Sequence, residues 1–168
     1  MGSNPSYFQG DRVDGSADRH PVDNVSWHEA QAFLDRLNER DTTATYRLPT
    51  EFEWEYATRA GRDSVLSWSE TQKRAWILDT NKGTTHPVGR KKPTRWGLHD
   101  MLGNVWEWTR DYYNGTLYPD PTPPDTGTVH VLKGGSFISD LAHATAFFHG
   151  GGPGNGYDVG FRVVREEN

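Results

Sequence analysis

The sequence of 168 residues contains no cysteine, which excludes disulfides, thiolate metal sites and cysteine nucleophiles together. It also lacks an apolar run as long as a membrane-spanning helix, and no signal peptide is recognisable. We therefore expect no membrane insertion. The compartment stays open, because a secreted protein can do without disulfides.

Positive charge is scarce, since 18 Lys and Arg residues stand against 23 Asp and Glu residues and leave a net charge of -5. Proteins that bind nucleic acid broadly present a basic face. The one basic cluster, Arg90-Lys91-Lys92, is short and typical of a solvated loop. We therefore expect no nucleic-acid partner.

Aromatic residues, in contrast, are plentiful and make up 12% of the chain, with seven Trp. Large aromatic side chains each bury much area, so they can supply a core although only 33% of the residues are hydrophobic. The 18 Gly and 10 Pro residues indicate many turns and irregular segments. Length and composition together predict a single, loop-rich domain over residues 1–168.

The first helix is predicted over residues 27–39, after a polar segment without helical or strand periodicity at 4–25. Ser26 and Glu29 match a capping box, in which two side chains satisfy free main-chain amides at a helix start. The apolar residues that follow have helical spacing and predict one buried face: Trp27, Ala30, Phe33, Leu34 and Leu37.

A second helix is predicted after Thr50, which forms another capping box with Glu53, and Gly61 is a suitable terminator. Its buried face is predicted to consist of Phe52, Tyr56, Ala57 and Ala60. Helical patterning stops at residue 62, and a Pro-rich stretch at 114–128 indicates a surface loop.

Short apolar segments after residue 62 indicate strands joined by long connections, and the whole pattern predicts an α+β fold with two helices. Long loops in a compact domain are uncommon unless they are functional. The predicted strand regions are those around Trp76, around Val88, and at Val105–Trp108, Val129–Leu132 and Val159–Val164.

Seven motifs occur in a fixed order along the chain: Asn4–Phe8 (NPSYF), Pro21–Trp27 (PVDNVSW), Arg47–Glu55 (RLPTEFEWE), Trp96–Leu98 (WGL), Asp100–Trp108 (DMLGNVWEW), Gly134–Ser136 (GGS) and Gly160–Arg162 (GFR). Together they resemble the formylglycine-generating enzyme (sulfatase-modifying factor) family over residues 4–165. The resemblance implies a C-type-lectin-like fold. The family's first strand region, before Asn4, has no counterpart in the sequence, so the N-terminal part of the family domain is expected to be missing.

Most of these motif residues are interpreted as determinants of the fold, through Arg–carboxylate pairs and Trp packing: Arg47, Glu51, Trp54, Glu55, Trp106 and Trp108. The oxidase of the family uses two cysteines near its C-terminal Gly-Phe-Arg segment to hold copper. This chain has none, so we expect no enzyme activity and no copper. We also expect no iron, because the related iron-dependent sulfoxide synthases use a His-rich motif in an N-terminal domain that is not present here.

Two alternatives remain. A divergent metal-dependent oxidase or sulfoxide-synthase-like enzyme is suggested by the acidic residues Asp100, Glu107 and Asp111, since carboxylates perform acid–base work. A structural module of a larger protein is suggested by the missing N-terminal segment.

The resemblance also implies a structural calcium site, in which main-chain carbonyls of Leu102, Gly103 and Val105 join the carboxylate of Glu107. Pairing of Glu107 with a buried Arg is the alternative.

Residues 137–158 differ from the family between two matching flanks, and this stretch is interpreted as the functional segment. Ala142, Ala144 and Ala146 alternate with diverse residues, which predicts a strand with a small-residue inner face. The stretch contains no Lys, Glu, Gln, Met or Trp, so every residue can be encoded by a codon ending in C, the set reached when both adenines of an AAC codon are randomised.

This composition resembles the variable proteins of diversity-generating retroelements, which carry hypervariable positions at this place in the same fold. The resemblance implies a receptor-like binding protein for an unknown protein or surface ligand, displayed on a virion or a cell. Aromatic anchors among small polar residues suit such a surface. Phe137 is predicted to be fixed. The expected ligand-binding residues are Ile138, Ser139, Asp140, Leu141, His143, Thr145, Phe147, Phe148, His149, Gly150, Gly151, Gly152, Gly154, Asn155, Gly156, Tyr157 and Asp158.

Overall fold

The two predicted capping boxes are present in the computed structural model, which describes residues 3–80, 83–115, 122–152 and 154–168. Ser26 caps helix α1 (Trp27–Arg40), and Thr50 caps helix α2 (Glu51–Arg59). In each, the cap hydroxyl accepts a hydrogen bond from the third helical amide, and the Glu at that position bonds back to the cap amide. Helix α2 ends on Ala60, whose φ of +47° lies in the left-handed region.

The predicted buried face of α2 is wrong in its two aromatic residues. Phe52 is 78% exposed and Tyr56 is 58% exposed, whereas Trp54 is 1% exposed. Side chains two positions apart on a helix lie on roughly opposite sides, so burial of Trp54 turns Phe52 outward. The indole of Trp54 is held inward by a hydrogen bond of 2.6 Å from its Nε1 to Glu107.

The prediction of two helices is also incomplete, because a third helix, α3 (Trp68–Gln72), is present among the described residues. It spans five residues and buries only Thr71, so it leaves no amphipathic pattern in the sequence. Its start is marked by Ser67, whose hydroxyl accepts a hydrogen bond from the amide of Glu70.

Six strands occur in the described parts of the chain: β1 (Ala44–Arg47), β2 (Trp106–Tyr112), β3 (His130–Lys133), β4 (His149–Gly152), β5 (Val159–Phe161) and β6 (Val164–Glu167). A four-stranded sheet has the order β4-β3-β2-β5, with β5 parallel to β2 and the other pairs antiparallel. Strands β1 and β6 form a separate antiparallel pair. Three predicted strand regions are thus confirmed, whereas Trp76 forms only an isolated bridge with Gly103 and Val88 lies in a turn.

Two apolar clusters stabilise this arrangement. One contains Leu34 of α1 and Trp108 of β2, and the other contains Trp54 of α2, Ile77 and Ala144. The described part of the Pro-rich stretch, 114–115 and 122–128, is largely exposed as predicted. No helix in the described ranges is both long and apolar enough to span a bilayer.

The two aromatic faces of α2 provide a matched test of this packing. Trp54→Ala should lower the free energy of unfolding by roughly 3–5 kcal/mol, because a large cavity opens in the core. Phe52→Ala should change it by only about 0.5 kcal/mol, since this side chain is mostly in water. Urea denaturation of both variants measures the difference, and equal losses would contradict the observed orientation of α2.

Candidate functional site

The segment 137–158 lies between two anchors on the central sheet. Lys133, at the end of β3, pairs with Glu107 of β2 in the antiparallel ladder. Gly160, in β5, pairs with the same Glu107 in the parallel ladder. Both ends of the segment are therefore fixed to one residue of the central strand.

Glu107 is 6% exposed and its carboxylate is fully engaged. Arg162, just after β5, donates to both of its oxygens, from Nε at 2.5 Å and from Nη2 at 2.6 Å. The indole Nε1 of Trp54 donates a third hydrogen bond. A bidentate Arg–carboxylate pair of this kind combines charge with fixed geometry.

This geometry does not fit the calcium site that the family resemblance implies. A guanidinium already occupies both oxygens of the one proposed carboxylate ligand, and its positive charge opposes a cation there. The alternative partner of Glu107, a buried Arg, is the one observed. The main chain of Gly103 instead closes a turn, with its amide bonded to Gly134, while Leu102 and Val105 are buried in the core.

The acidic residues Asp100, Glu107 and Asp111 do not form one cluster of free carboxylates. Asp111 accepts a hydrogen bond from the amide of Glu51, at the start of α2. Asp100 accepts one from the amide of Gly89, and burial raises its pKa. Within the described ranges, no group of three or more His, Asp or Glu side chains is placed to hold a metal ion.

The first half of the functional segment is not the strand that its alternating alanines predict. The side chain of Asp140 accepts hydrogen bonds from the amide and ring of His143, and its carbonyl accepts one from Ala144. The hydroxyl of Thr145 likewise accepts one from the amide of Phe148. Short polar side chains that bond to nearby main-chain groups favour turns over strands, so residues 140–147 form successive turns and bends.

The inward direction of Ala144 is nevertheless as predicted, since this residue is 1% exposed. Ser139, however, is buried rather than outward-facing. Its hydroxyl accepts from the amide of Ser136, and its carbonyl accepts from the amide of Leu78. Ser139 therefore stabilises the base of the segment and is removed from its expected outer surface.

Exposed aromatic and aliphatic side chains lie on the outer surface of the segment. Ile138 is 41%, Phe147 42% and Tyr157 47% exposed. The guanidinium of Arg59, on α2, lies 4.3 Å from the ring centre of Phe147. The remaining exposed members are Asp140, Gly151, Gly154 and Asn155, and the half-buried ones are Leu141, His143, Thr145, Phe148, His149, Gly150, Gly152, Gly156 and Asp158.

The glycines of β4 have a packing role. A Cβ at Gly151 would lie 2.5 Å from Cγ of Tyr113 and 2.9 Å from Cγ1 of Val129. A Cβ at Gly152 would lie 3.2 Å from Leu132. Side chains are therefore excluded at Gly151 by steric overlap, and this position is less suited to variation than its place in the segment predicts.

The N-terminal loop supports the other end of the segment, a contribution that sequence patterns did not indicate. The ring of Tyr157 lies 5.9 Å from that of Tyr7 and 6.1 Å from that of the fully buried Phe137. Asp23 holds this loop in place, because its carboxylate accepts hydrogen bonds from the amides of Tyr7 and Phe8. Burial raises the pKa of Asp23.

A buried charge network lies directly beneath β4 and was also missed. Lys133 is completely buried, and its Nζ lies 3.1 Å from Oε1 of Glu51 and 3.9 Å from Oε2 of Glu55. Nδ1 of His149 lies 3.1 Å from the same Glu51 oxygen. Burial lowers the pKa of Lys133 against the opposing effect of Glu51. The one Lys in an otherwise apolar strand carries no signal that distinguishes it from a surface residue.

With the geometry described, comparison with known proteins identifies the family. A family model described as "Sulfatase-modifying factor enzyme 1-like domain" matches residues 1–167. The chain belongs to this family. The formylglycine-generating enzyme of Thermomonospora curvata is 36% identical over 152 residues, which cover 76% of this chain and 48% of that enzyme. The chain thus spans about half the length of this relative.

Solved structures agree with the predicted C-type-lectin-like, α+β fold. Treponema denticola variable protein 1 matches with a TM-score of 0.89 and 27% identity, over 100% of this chain and 79% of that one. PvdO from Pseudomonas aeruginosa matches with a TM-score of 0.77 and 23% identity, over 94% of this chain and 66% of that one, which shows the fold alone. The family member described here therefore resembles a variable protein over its whole length.

Removal of the Glu107 carboxylate tests the anchor of the segment. Glu107→Gln should lower the free energy of unfolding by about 3 kcal/mol, because it leaves the Arg162 guanidinium beside a neutral group. Glu166→Gln is the control, since Glu166 pairs with Arg47 at a side-chain exposure of 49% and such pairs contribute at most about 1 kcal/mol. A smaller loss for Glu107→Gln than for the control would contradict the proposed anchor.

The environment of His149 predicts that β4 is less stable in acid. Burial, followed by the charge of Lys133, lowers the pKa of His149, although Glu51 opposes the shift. A His with a lowered folded-state pKa contributes stability above its unfolded value, about 6.5, and loses it as the pH falls. Amide exchange of residues 149–152, corrected for its intrinsic pH dependence, should show easier opening at pH 5 than at pH 7.5. His149→Gln should remove this difference, and an equal pH dependence in that variant would contradict the assignment.

Proposed function

We propose that the chain is a non-enzymatic, receptor-like binding protein whose segment 137–158 is a hypervariable ligand-binding surface diversified by a retroelement. The observation that carries the proposal is the contrast within this segment. Phe137, Ser139 and Ala144 are buried, whereas Ile138, Phe147 and Tyr157 are 41–47% exposed. Fixed inner residues and exposed outer residues are what a surface needs in order to vary without loss of the fold.

The chemistry of the outer residues supports binding. Phe147 and Tyr157 are rigid aromatic side chains with few rotatable bonds, and they lie among Gly, Ser, Thr and Asp residues that offer small polar contacts. Large apolar side chains exposed on a polar protein usually mark an interface. The composition of the segment, compatible throughout with codons ending in C, supports its diversification.

The proposed ligand is a protein or another surface component, and the proposed place of display is a virion or a cell surface. The resemblance to Treponema denticola variable protein 1 supports this view. The surface encodes one specificity among many, because the partner of a diversified site is selected after the scaffold is fixed.

An enzyme is the second candidate, because relatives at 36% identity are formylglycine-generating enzymes. Under the leading proposal their activity is absent from this chain, which has no cysteine to supply the copper-binding pair of the family oxidase. Metal analysis of the purified protein discriminates between the two candidates. Stoichiometric copper or iron would favour a divergent oxidase or synthase over the binding protein.

The genomic neighbourhood tests diversification directly. We expect a reverse-transcriptase gene nearby and an imperfect repeat of the DNA that encodes residues 133–163. The two copies should differ only at positions that are adenine in the template copy. A repeat whose differences fall on all four bases would contradict adenine-directed mutagenesis.

The outer surface should also tolerate substitution. The triple variant Ile138→Ala, Phe147→Ala, Tyr157→Ala should lower the free energy of unfolding by about 1.5 kcal/mol or less, because all three side chains are largely in water. Phe137→Ala is the matched control within the same segment, and it should cost roughly 3–5 kcal/mol because Phe137 is fully buried. Thermal or chemical denaturation measures both, and a triple variant as unstable as Phe137→Ala would show that these residues belong to the core.

A further inference from the structure

A cavity of about 310 Å³ opens beside the start of α1, outside the surface described so far. Its walls include the rings of Trp27, Trp108, Tyr112 and His130, and the main chain of Gly152 borders it. This volume is at the lower end of the range for small-molecule sites, roughly 300–1,000 Å³. Among the described residues that line the cavity there is no Lys, Arg, Asp or Glu, so a charged ligand would find no opposite charge.

His130 is the unusual residue in this wall. Its ring is stacked between Trp27, at a centroid distance of 3.8 Å and an interplanar angle of 4°, and Tyr112, at 4.5 Å and 29°. Both faces of the imidazole are therefore covered, and only the ring edge remains for hydrogen bonding. The residue is 8% exposed, and its Nδ1 has no hydrogen-bond partner in the described part of the chain.

The protonation state of this ring follows from its surroundings. Burial lowers the pKa of His130, although the main-chain carbonyls of Asp111 and Arg110 oppose the shift, so the ring is neutral near pH 7. Nε2 is the nitrogen left to donate to these carbonyls, which makes Nδ1 an acceptor with a free lone pair. A buried acceptor without a donor is costly unless a ligand supplies one.

We propose that this cavity binds a neutral, planar aromatic ring that carries one hydrogen-bond donor, as indole and phenol do, with the donor bonded to Nδ1 of His130. Aromatic walls favour a flat apolar ligand through offset and edge-to-face contacts. The donor satisfies the one buried polar atom that the protein leaves unpaired. This inference does not rest on the proposed function, because Trp27, Tyr112 and His130 all lie outside residues 137–158.

Indole is the probe, and benzofuran is its match, because it has nearly the same shape without the N–H donor. Calorimetric titration should show indole binding about tenfold more tightly than benzofuran, the equivalent of one neutral hydrogen bond. In a ¹⁵N NMR spectrum, indole should shift the Nε1 signal of Trp27, whose proton bonds to the carbonyl of Thr109 at 2.9 Å. N-acetyl-tryptophanamide distinguishes the source of the ring: comparable binding indicates a protein side chain, and binding of indole alone indicates a free small molecule.

Two variants separate the ligand site from the fold. His130→Phe keeps a stacked ring and removes the acceptor, so it should weaken indole binding about tenfold and leave benzofuran binding unchanged. Thr128→Trp, at an exposed lining position, should block both probes without lowering the melting temperature, and it serves as the test should His130→Phe not fold. The proposal is overturned by equal affinities for indole and benzofuran, by indole shifts that spare Trp27, or by wild-type indole binding in Thr128→Trp. Loss of the retroelement reading would leave each of these results unaffected.

Discussion

The pairing of Glu107 with Arg162 and Trp54 is the interaction on which the rest of the structure depends. It joins the central strand β2, the residue after β5 and the buried face of α2 through three hydrogen bonds of 2.5–2.6 Å. In the ladders on either side, Glu107 is also the register partner of Lys133 and Gly160. One buried carboxylate thereby fixes the start and the end of a long irregular segment, which spares that segment from having to hold itself in place.

The energetic consequence is a division of labour within residues 137–158. A segment with fixed ends needs only a few internal contacts, and these are made by Phe137, Ser139 and Ala144 at its base. The outer side chains then contribute little to the free energy of folding. Such a division suits a binding surface, because ordering costs are met by the scaffold before any ligand arrives.

Local signals in the sequence predicted the local structure well, whereas long-range partners were beyond their reach. Both capping boxes were predicted because their two side chains lie three residues apart. The acceptor of Trp54, in contrast, lies 53 residues away, and without it periodicity placed Phe52 in the core. The same limit affected Glu107, since spacing alone does not distinguish a calcium ligand from the partner of an Arg 55 residues further along. The family motifs could predict the fold because they carry these distant pairs together.

A saturation scan of residues 133–163, with resistance to proteolysis as the measure of folding, tests the central claim most directly. The account predicts two sharply different classes of position: broad tolerance at Ile138, Phe147, Asn155 and Tyr157, and intolerance at Phe137, Ala144 and Gly151. Uniform intolerance along the segment would mean that its outer residues hold the fold together, and the account of a variable surface on a fixed frame would be contradicted.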